Sequence, residues 1–234
     1  MSQALTSHAP GLDSYQQTLE RFDQPLVAAE YPDNYGGSWK DRAERASILS
    51  ALAGTPAGAK VLDLPCGTGR LTSLLLERGF VVTAADSSPH MVARAQGSVE
   101  RIAKLKPGNI PQVRFDVRDV MHTEFRDGEF DAIVCNRLFH HFTEPAVRQA
   151  ALLELRRICR GPIIVSFFNS FALDSLRFRL RWLIKRQQPT DRIPIKLSAF
   201  AADGRAAGLT VERTIATRWG ISPMWYVVFR RSDI

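Results

Sequence analysis

Cysteine is scarce in this sequence, with three residues among 234, and their arrangement limits what the thiols can do. Cys66, Cys135 and Cys159 are odd in number and far apart, so they match none of the paired spacings that build zinc sites or disulfide frameworks. We therefore expect three reduced thiols and no metal site.

Long hydrophobic runs are also absent from the sequence. No apolar stretch approaches the roughly 20 residues that a membrane-spanning helix needs. The opening residues, MSQALTSHAPGLDSYQQ, lack the basic and then apolar order of a signal peptide. Hydrophobic residues make up 45% of the chain and charged residues 24%, a balance typical of globular proteins rather than disordered or fibrous ones. We therefore expect a cytoplasmic globular protein.

An excess of acidic residues is missing as well, because 31 Lys and Arg stand against 24 Asp and Glu, a formal net charge of +7. Most of this charge falls between positions 171 and 196, where seven basic and two acidic residues give +5. A basic excess favours an anionic partner such as nucleic acid or a membrane surface. The rest of the chain is nearly neutral, so such a partner would meet this one segment.

From position 60 onward, short apolar runs alternate with amphipathic stretches, a pattern typical of parallel strands joined by helices. The predicted strands are Lys60–Leu64, Val81–Ala85, Val113–Phe115, Ala132–Asn136, Ile163–Phe168, Leu209–Ala216 and Trp225–Arg230. The predicted helices are Ser38–Ala53, with Ser38 as its N-cap, Leu71–Glu77, Pro89–Leu105, Pro145–Cys159 and Leu197–Ala207. Seven strands with such crossovers predict an α/β fold with a doubly wound, mostly parallel sheet.

The two ends of the chain differ from this repeating pattern. The last two predicted strands are joined by Thr217–Met224, which is too short for a crossover helix, so they must form an antiparallel C-terminal hairpin. Residues 1–40 are polar and interrupted by Pro and Gly, which predicts an arm with short helices. We expect this arm to be a lid on one domain, residues 41–234, with a basic amphipathic insertion at residues 170–196.

A glycine loop, PCGTG at residues 65–69, follows the first predicted strand and leads into the next helix. Its two glycines allow a sharp bend and a close approach to a ligand, although a tight turn without a ligand would use the same residues. The second strand ends at Asp86, seventeen positions after Gly69. The Asp86 carboxylate could accept both hydroxyls of a ribose or cap the helix that begins at Pro89.

Several blocks of sequence together carry a family resemblance. They are VLDLPCGTG at 61–69, Asp86 with Met91, Asp119, FDAIVCNRLFHHF at 130–142, ALLELRRICRG at 151–161 and PIIVSF at 162–167. In order and spacing these blocks resemble the class I S-adenosylmethionine (SAM)-dependent methyltransferases, including the ubiquinone-biosynthesis type. The resemblance extends over about residues 40 to 230.

The resemblance implies SAM as the cofactor and assigns parts of its site. The glycine loop would hold the methionine portion, Asp86 the ribose and Asp119 the adenine amino group. Asp63 would anchor the cofactor amino group from beneath the loop, directly or through water. The implied cofactor-binding residues are Asp63, Pro65, Cys66, Gly67, Thr68, Gly69, Asp86, Ser87, Met91, Asp119, Val120, Asn136 and Arg137.

Position 65 departs from the family, which more often has glycine there. Proline fixes φ at about −65° and has no amide hydrogen, yet Gly67 and Gly69 remain and proline favours the extended conformation of a strand end. A nicotinamide or flavin dinucleotide enzyme is the alternative on this fold. Residues 70–72, RLT, supply no third glycine for its G-x-G-x-x-G loop, so we favour SAM.

No catalytic group follows from the sequence itself. SAM carries an activated methyl group, so the protein mainly aligns donor and acceptor, and a base is needed only if the acceptor retains its proton. The resemblance places the loop after the fourth strand beside the methyl group, which makes His140 and His141 candidate bases, alongside Tyr35; packing or capping is the alternative for the histidines. Tyr31, Tyr35 and Trp39 would close the site against water or anchor the arm to the core.

Residues 173–186 of the insertion carry an amphipathic pattern. On a helix of about 100° per residue, Leu and Ile fall on one stripe and Arg and Lys on the opposite side, with Phe178 and Trp182 beside the cations. We interpret the basic face as a site for an anionic or lipid-like acceptor or for the inner membrane surface. A solvated basic cover and an RNA-binding face are the alternatives; no RNA-binding module flanks the domain, which argues against nucleic acid.

The sequence thus predicts a SAM-dependent methyltransferase for a small-molecule or lipid-like acceptor, in the cytoplasm or peripheral at the inner membrane surface. An RNA or protein methyltransferase and a catalytically silent SAM-binding protein are the remaining alternatives. The presence of Gly67, Gly69, Asp86 and Asp119 argues against a silent protein.

Overall fold

The computed structural model describes residues 13–24, 38–105, 112–175, 177 and 193–232. Within them the chain forms a seven-stranded sheet with helices packed on both faces. The helices are α1 (Ser14–Phe22), α2 (Trp39–Ala51), α3 (Arg70–Glu77), α4 (Pro89–Leu105), a short 3₁₀ helix (Phe139–His141), α5 (Pro145–Ile158) and α6 (Leu197–Ala206). The strands are β1 (Lys60–Asp63), β2 (Val81–Asp86), β3 (Val113–Val117), β4 (Ala132–Cys135), β5 (Ile163–Phe168), β6 (Leu209–Ala216) and β7 (Met224–Arg231).

The sheet is doubly wound around its first strand. Its order is β3-β2-β1-β4-β5-β7-β6, and the pairs are parallel except for β5 with β7 and β6 with β7. The chain runs outward from β1 to β3 and returns to β4 on the other side of β1, which opens a crevice at the carboxyl ends of these strands. The predicted doubly wound sheet and the antiparallel C-terminal hairpin are both confirmed.

Most predicted elements match the observed ones within one or two residues. Ser38 caps α2 as predicted, because its Oγ accepts a hydrogen bond from the Asp41 amide at 3.1 Å. That helix ends at Ala51 rather than Ala53. Strand β3 is longer than predicted, since its pairing with β2 continues to Val117.

Two apolar layers cover the sheet. Val61 packs on the face covered by α2 and α3, and its neighbour Leu62 packs on the face covered by α5 and α6, because successive strand side chains point to opposite faces. On the second face the Phe200 ring lies 4.8 to 5.7 Å from the rings of three other phenylalanines, Phe229 among them. A Cβ on Gly204 would lie 2.4 Å from the Phe229 ring, so α6 packs this closely because residue 204 is glycine.

Several predictions about the arm and the insertion are settled only in part. Tyr31 and Tyr35 lie outside the described residues, as do residue 176 and residues 178–192. Trp39 is half-exposed, with the cations of Lys40 and Arg218 beside its ring. Leu173, which the amphipathic pattern placed on the packed side, is 53% exposed, so that part of the interpretation is wrong.

Candidate functional site

A cavity lies in the crevice at the carboxyl ends of β1, β2 and β4. It is lined by Thr18, Phe22, Pro65, Cys66, Gly67, Thr68, Arg70, Leu71, Asp86, Ser87, Met91, Asn136, Arg137 and Leu138. Nine of the thirteen residues that the resemblance assigns to the cofactor are in this lining, and Asp63, Gly69, Asp119 and Val120 are not. The fold therefore brings most of the predicted site together, and helix α1 adds Thr18 and Phe22.

The glycine loop at residues 65–69 is held by its backbone. The Gly67 amide donates to Asp86 Oδ2 at 3.0 Å, and the peptide before Pro65 is cis. Gly67 and Gly69 have φ values of +53° and +82°, in the left-handed region that favours glycine. A Cβ on Gly69 would lie 2.9 Å from Ala95 Cα, so only glycine lets the start of α3 pack against α4.

Asp86, the last residue of β2, connects the glycine loop to the start of α4. Its Oδ2 accepts from the Gly67 amide and its Oδ1 accepts from the Ser88 amide at 3.0 Å. Asp86 is buried, and burial raises the pKa of its carboxyl to about 6 in spite of these hydrogen bonds. Because Ser88 precedes Pro89, the first residue of α4, this bond closes a turn before the helix and does not cap it. The Asp86 carboxylate also lines the cavity.

Asp63 lies at the end of β1, beneath the glycine loop, and does not line the cavity. It is fully buried, and its Oδ2 accepts from Thr72 Oγ1 at 2.7 Å. Its Oδ1 has no hydrogen-bond partner among the described residues, and burial raises the pKa of the carboxyl to about 7. In this conformation a contact with a cofactor amino group would have to run through water.

An ion cluster around two buried carboxylates, which we call the arginine cluster, joins α2 to the cavity wall. Its members are Asp41, Glu44, Arg45, Arg70 and Arg137. Arg70 pairs with Asp41 and, at 2.8 Å, with Glu44. Arg137 pairs with Glu44 at 2.5 Å, and Arg45 with Asp41 at 3.1 Å. Arg70 and Arg137 also line the cavity, so two guanidinium groups of the cluster border it.

The Asn136–Arg137 dipeptide after β4 is held from two neighbouring strands. The hydroxyl of Tyr226 in β7 donates to Asn136 Oδ1 at 3.0 Å, and Ser166 Oγ in β5 accepts from the Arg137 amide at 2.6 Å. Arg137 has a φ of +62°, which is strained for a residue with a side chain. Both residues line the cavity, so this strain lies at the predicted site.

A second, smaller cavity of about 310 Å³ adjoins the first. The two share Thr18, Pro65, Ser87 and Leu138, and the other walls of the second are Tyr15, Leu19, Leu64, Arg118, Asp119, Val120 and Phe142. The Asp119 carboxylate accepts from the Tyr15 hydroxyl and, at 2.9 Å, from the Met121 amide. Asp119 and Val120, assigned to adenine by the resemblance, therefore lie beside the main cavity rather than in it.

The two candidate histidines line neither cavity. The His140 ring is buried and stacks on Phe168 with a centroid distance of 4.4 Å. The His141 ring makes an edge contact with Phe22 at 5.4 Å. These contacts match the packing role, and a role as general base stays a prediction.

Known proteins match the chain across most of its length. Residues 61–161 match a family model described as a methyltransferase domain. The ubiquinone biosynthesis O-methyltransferase of Xanthomonas axonopodis pv. citri is 36% identical over 215 residues, which cover 88% of this chain and 85% of that protein. The protein of the same name from Bordetella parapertussis is 28% identical over 228 residues, with 89% and 86% covered.

Solved structures share the fold. The magnesium protoporphyrin IX methyltransferase of Synechocystis PCC 6803 with bound S-adenosylhomocysteine (SAH) has a TM-score of 0.71 at 19% identity, covering 94% of this chain and 100% of that chain. The 1,6-didemethyltoxoflavin-N1-methyltransferase of Burkholderia thailandensis has a TM-score of 0.65 at 23% identity, with 97% and 93% covered.

Proposed function

Because the chain belongs to the class I SAM-dependent methyltransferases, we propose that it transfers a methyl group from SAM to a small-molecule or lipid-like acceptor. The observation that carries the proposal is the convergence of the glycine loop, Asp86 and the arginine cluster on one cavity. In this proposal residues 41–234 form the catalytic domain, and the arm at residues 1–40 forms a lid, of which α1 is the described part.

Each part of SAM has a chemically matching surface in the cavity. The guanidinium groups of Arg70 and Arg137, which line the cavity, suit the carboxylate of the methionine portion, and the glycine loop allows that portion to approach the backbone. Asp86 suits the ribose hydroxyls. The apolar walls of the smaller cavity, with the Asp119 carboxylate, suit the adenine.

The contribution of the chain to the reaction is alignment. Bound SAM supplies a methyl group activated on a sulfonium, and a lone pair of the acceptor displaces the sulfur in line and leaves SAH. Alignment of this kind is worth effective molarities of about 10⁵–10⁸ M. Asn136 and Arg137 are suited to form a rigid wall for the acceptor, because Tyr226 and Ser166 fix the dipeptide.

The lining of the cavity supports a small acceptor. Phe22, Leu71 and Leu138 give the cavity apolar surface beside the two arginines, which suits an acceptor with an apolar body and a polar group. The named relatives are methyltransferases of ubiquinone biosynthesis, of magnesium protoporphyrin IX and of 1,6-didemethyltoxoflavin.

Methyl transfer can be tested without knowing the acceptor. The purified protein is incubated with a cell extract and SAM carrying a deuterated methyl group, and untargeted mass spectrometry should find a compound that gains one labelled methyl. The variant Asp86→Asn should lose this transfer, while Asp116→Asn, a control carboxylate on β3 outside both cavities, should retain it. Unlabelled products, or equal labelling by both variants, would contradict the proposal.

We further propose that the protein is cytoplasmic and contacts an anionic membrane surface peripherally. No helix within the described ranges is long and apolar enough to span a bilayer. Phe171, Leu173 and Trp219 are 78%, 53% and 82% exposed, and the Leu173 amide donates to the Gly220 carbonyl at 3.0 Å, which brings the two segments together. The side chain of Arg177, nearby in sequence, is also exposed and pairs with Asp174 at 3.2 Å. Exposed aromatic rings with a basic residue nearby suit the bilayer interface.

Vesicle flotation tests this contact. The wild-type protein should float with phosphatidylglycerol vesicles and stay behind with phosphatidylcholine vesicles, because the surface combines apolar and cationic groups. The double variant Phe171→Ser/Trp219→Ser should lose flotation, whereas Leu153→Ser, at an exposed leucine of α5, should keep it. Equal flotation of the two variants would refute the membrane contact.

A further inference from the structure

The smaller cavity has the chemistry of a site for a purine base. Leu64, Val120 and Phe142 supply flat apolar walls, and Asp119 supplies one carboxylate able to accept from an exocyclic amino group. Ser87, which directly follows Asp86, belongs to both cavities, so a ribose held at Asp86 would direct its base into the smaller one. This placement rests on the proposed function.

That carboxylate already has a partner from the chain itself. The hydroxyl of Tyr15 in α1 donates to Asp119 Oδ2, and the Met121 amide donates to Oδ1 at 2.9 Å. The Tyr15 ring forms part of the cavity wall and lies edge-on to Phe142, with centroids 6.5 Å apart. Burial, together with the hydrogen bond to Asp119, raises the pKa of the Tyr15 hydroxyl, which therefore remains a proton donor at neutral pH.

Helix α1 is fixed in this position at both ends. At its start, the Ser14 hydroxyl donates to the Glu144 carboxylate and accepts from the Thr143 amide at 3.0 Å. At its end, Phe22 contacts the His141 ring. Between these anchors Thr18 lines both cavities, so α1 borders both parts of the predicted cofactor site.

We propose that Tyr15 takes the place of the adenine amino group in the cofactor-free protein, so that SAM must displace its hydroxyl from Asp119 in order to bind. Tyr15 is then an internal competitor of the cofactor. Only molecules in which the Tyr15–Asp119 hydrogen bond is open can bind SAM. The apparent affinity for SAM therefore equals the affinity of these molecules multiplied by their fraction. Release of Tyr15 also loosens α1, which couples occupancy of the adenine position to the lid.

Calorimetric titration with SAH, which is not consumed, tests this inference. Tyr15→Phe removes only the hydroxyl and should raise the affinity for SAH by about tenfold, the equivalent of one hydrogen bond to a charged group. Tyr15→Ala should raise it at least as much. Glu20→Gln, at an exposed position of the same helix, should leave it unchanged.

The outcomes separate this inference from the proposed function. If wild-type protein binds SAH and Tyr15→Phe binds it equally or more weakly, Tyr15 does not compete and the inference is overturned while the cofactor assignment stands. If neither the wild type nor any variant binds SAH, the proposed function is overturned and the inference with it. Near-UV circular dichroism of each variant establishes that it is folded before titration.

Discussion

At the scale of single residues, unusual backbone conformations surround the candidate site. Gly67 and Gly69 in the loop and Arg137 after β4 all have positive φ. The two glycines could be predicted from the sequence, because glycine adopts this conformation at little cost. Arg137 could not, since nothing in the residue type indicates a left-handed backbone; the Ser166 and Glu44 side chains that hold it are distant in sequence.

Replacing Gly69 tests the packing of the loop. Gly69→Ala should lower the free energy of unfolding by about 3 kcal/mol, because it combines left-handed strain with a Cβ 2.9 Å from Ala95 Cα. Gly58→Ala is the matched control, with a φ of +80° and open space around the new Cβ, and should cost about 1 kcal/mol. Urea denaturation of both variants measures the difference, and equal losses would contradict the close contact.

The buried carboxyl of Asp63 gives a pH-dependent prediction. Its pKa is about 7 in the folded chain, against about 3.9 for an unfolded Asp. The folded state thus holds a proton that the unfolded state has lost, and stability falls as the pH rises through this window. Between about pH 5 and pH 8, the free energy of unfolding of Asp63→Asn should therefore fall by about 2–3 kcal/mol less than that of the wild type. Urea denaturation at both pH values measures it; an unchanged loss would count against the raised pKa.

At the scale of helices and strands, the sequence predicted those features that depend on residues close together along the chain. Short apolar runs located strands such as β4 and β5, and the Ser38 cap located α2, because these signals depend on neighbours in sequence. The arginine cluster could not be predicted. Its members come from α2, α3 and the loop after β4, and only the packing of α2 across the sheet edge brings Glu44 to both Arg70 and Arg137.

Helices α5 and α6 are joined by a buried ion pair that should contribute strongly to stability. Arg148 and Asp203 are 4% exposed, and Arg148 Nε lies 2.6 Å from Asp203 Oδ2. Asp203→Ala would leave a buried guanidinium without its carboxylate and should cost about 3–5 kcal/mol of unfolding free energy. Glu212→Ala removes the partner of Arg230 at a far more exposed pair on the β6–β7 hairpin and should cost less than about 1 kcal/mol. Similar losses in chemical denaturation would contradict this ranking.

At the scale of the whole molecule, the fold class could be predicted, but the cover over its site could not. The alternation of strands and helices along the chain predicted a doubly wound sheet, but it does not indicate that β7 lies between β5 and β6. The docking of α1 depends on contacts such as Tyr15 with Asp119, which are 104 positions apart. A polar arm contains no periodic pattern that would identify such a distant partner, so sequence reasoning expected a lid without locating it.

Ligand binding should be visible in the stability of the entire domain. At 100 times its Kd, SAH should stabilise the folded state by about 2.7 kcal/mol. For a chain of this size that corresponds to a rise in Tm of roughly 5–10 °C. NADH should leave Tm unchanged, because the loop lacks the third glycine of dinucleotide sites. Differential scanning fluorimetry measures both, and a comparable rise with NADH, or none with SAH, would contradict the cofactor assignment.

Because the strand order reverses beside β1, the walls of the cavity come from two separate parts of the chain. The glycine loop and Asp86 come from the stretch around β1 and β2, whereas α1 and the residues after β4 supply the remaining walls. Sequence changes at an apolar wall residue of the second group, such as Leu138, leave the glycine loop, Asp86 and the arginine cluster untouched. After gene duplication, a descendant of this chain could therefore acquire a new substrate through successive small changes while its dependence on the same methyl donor persists.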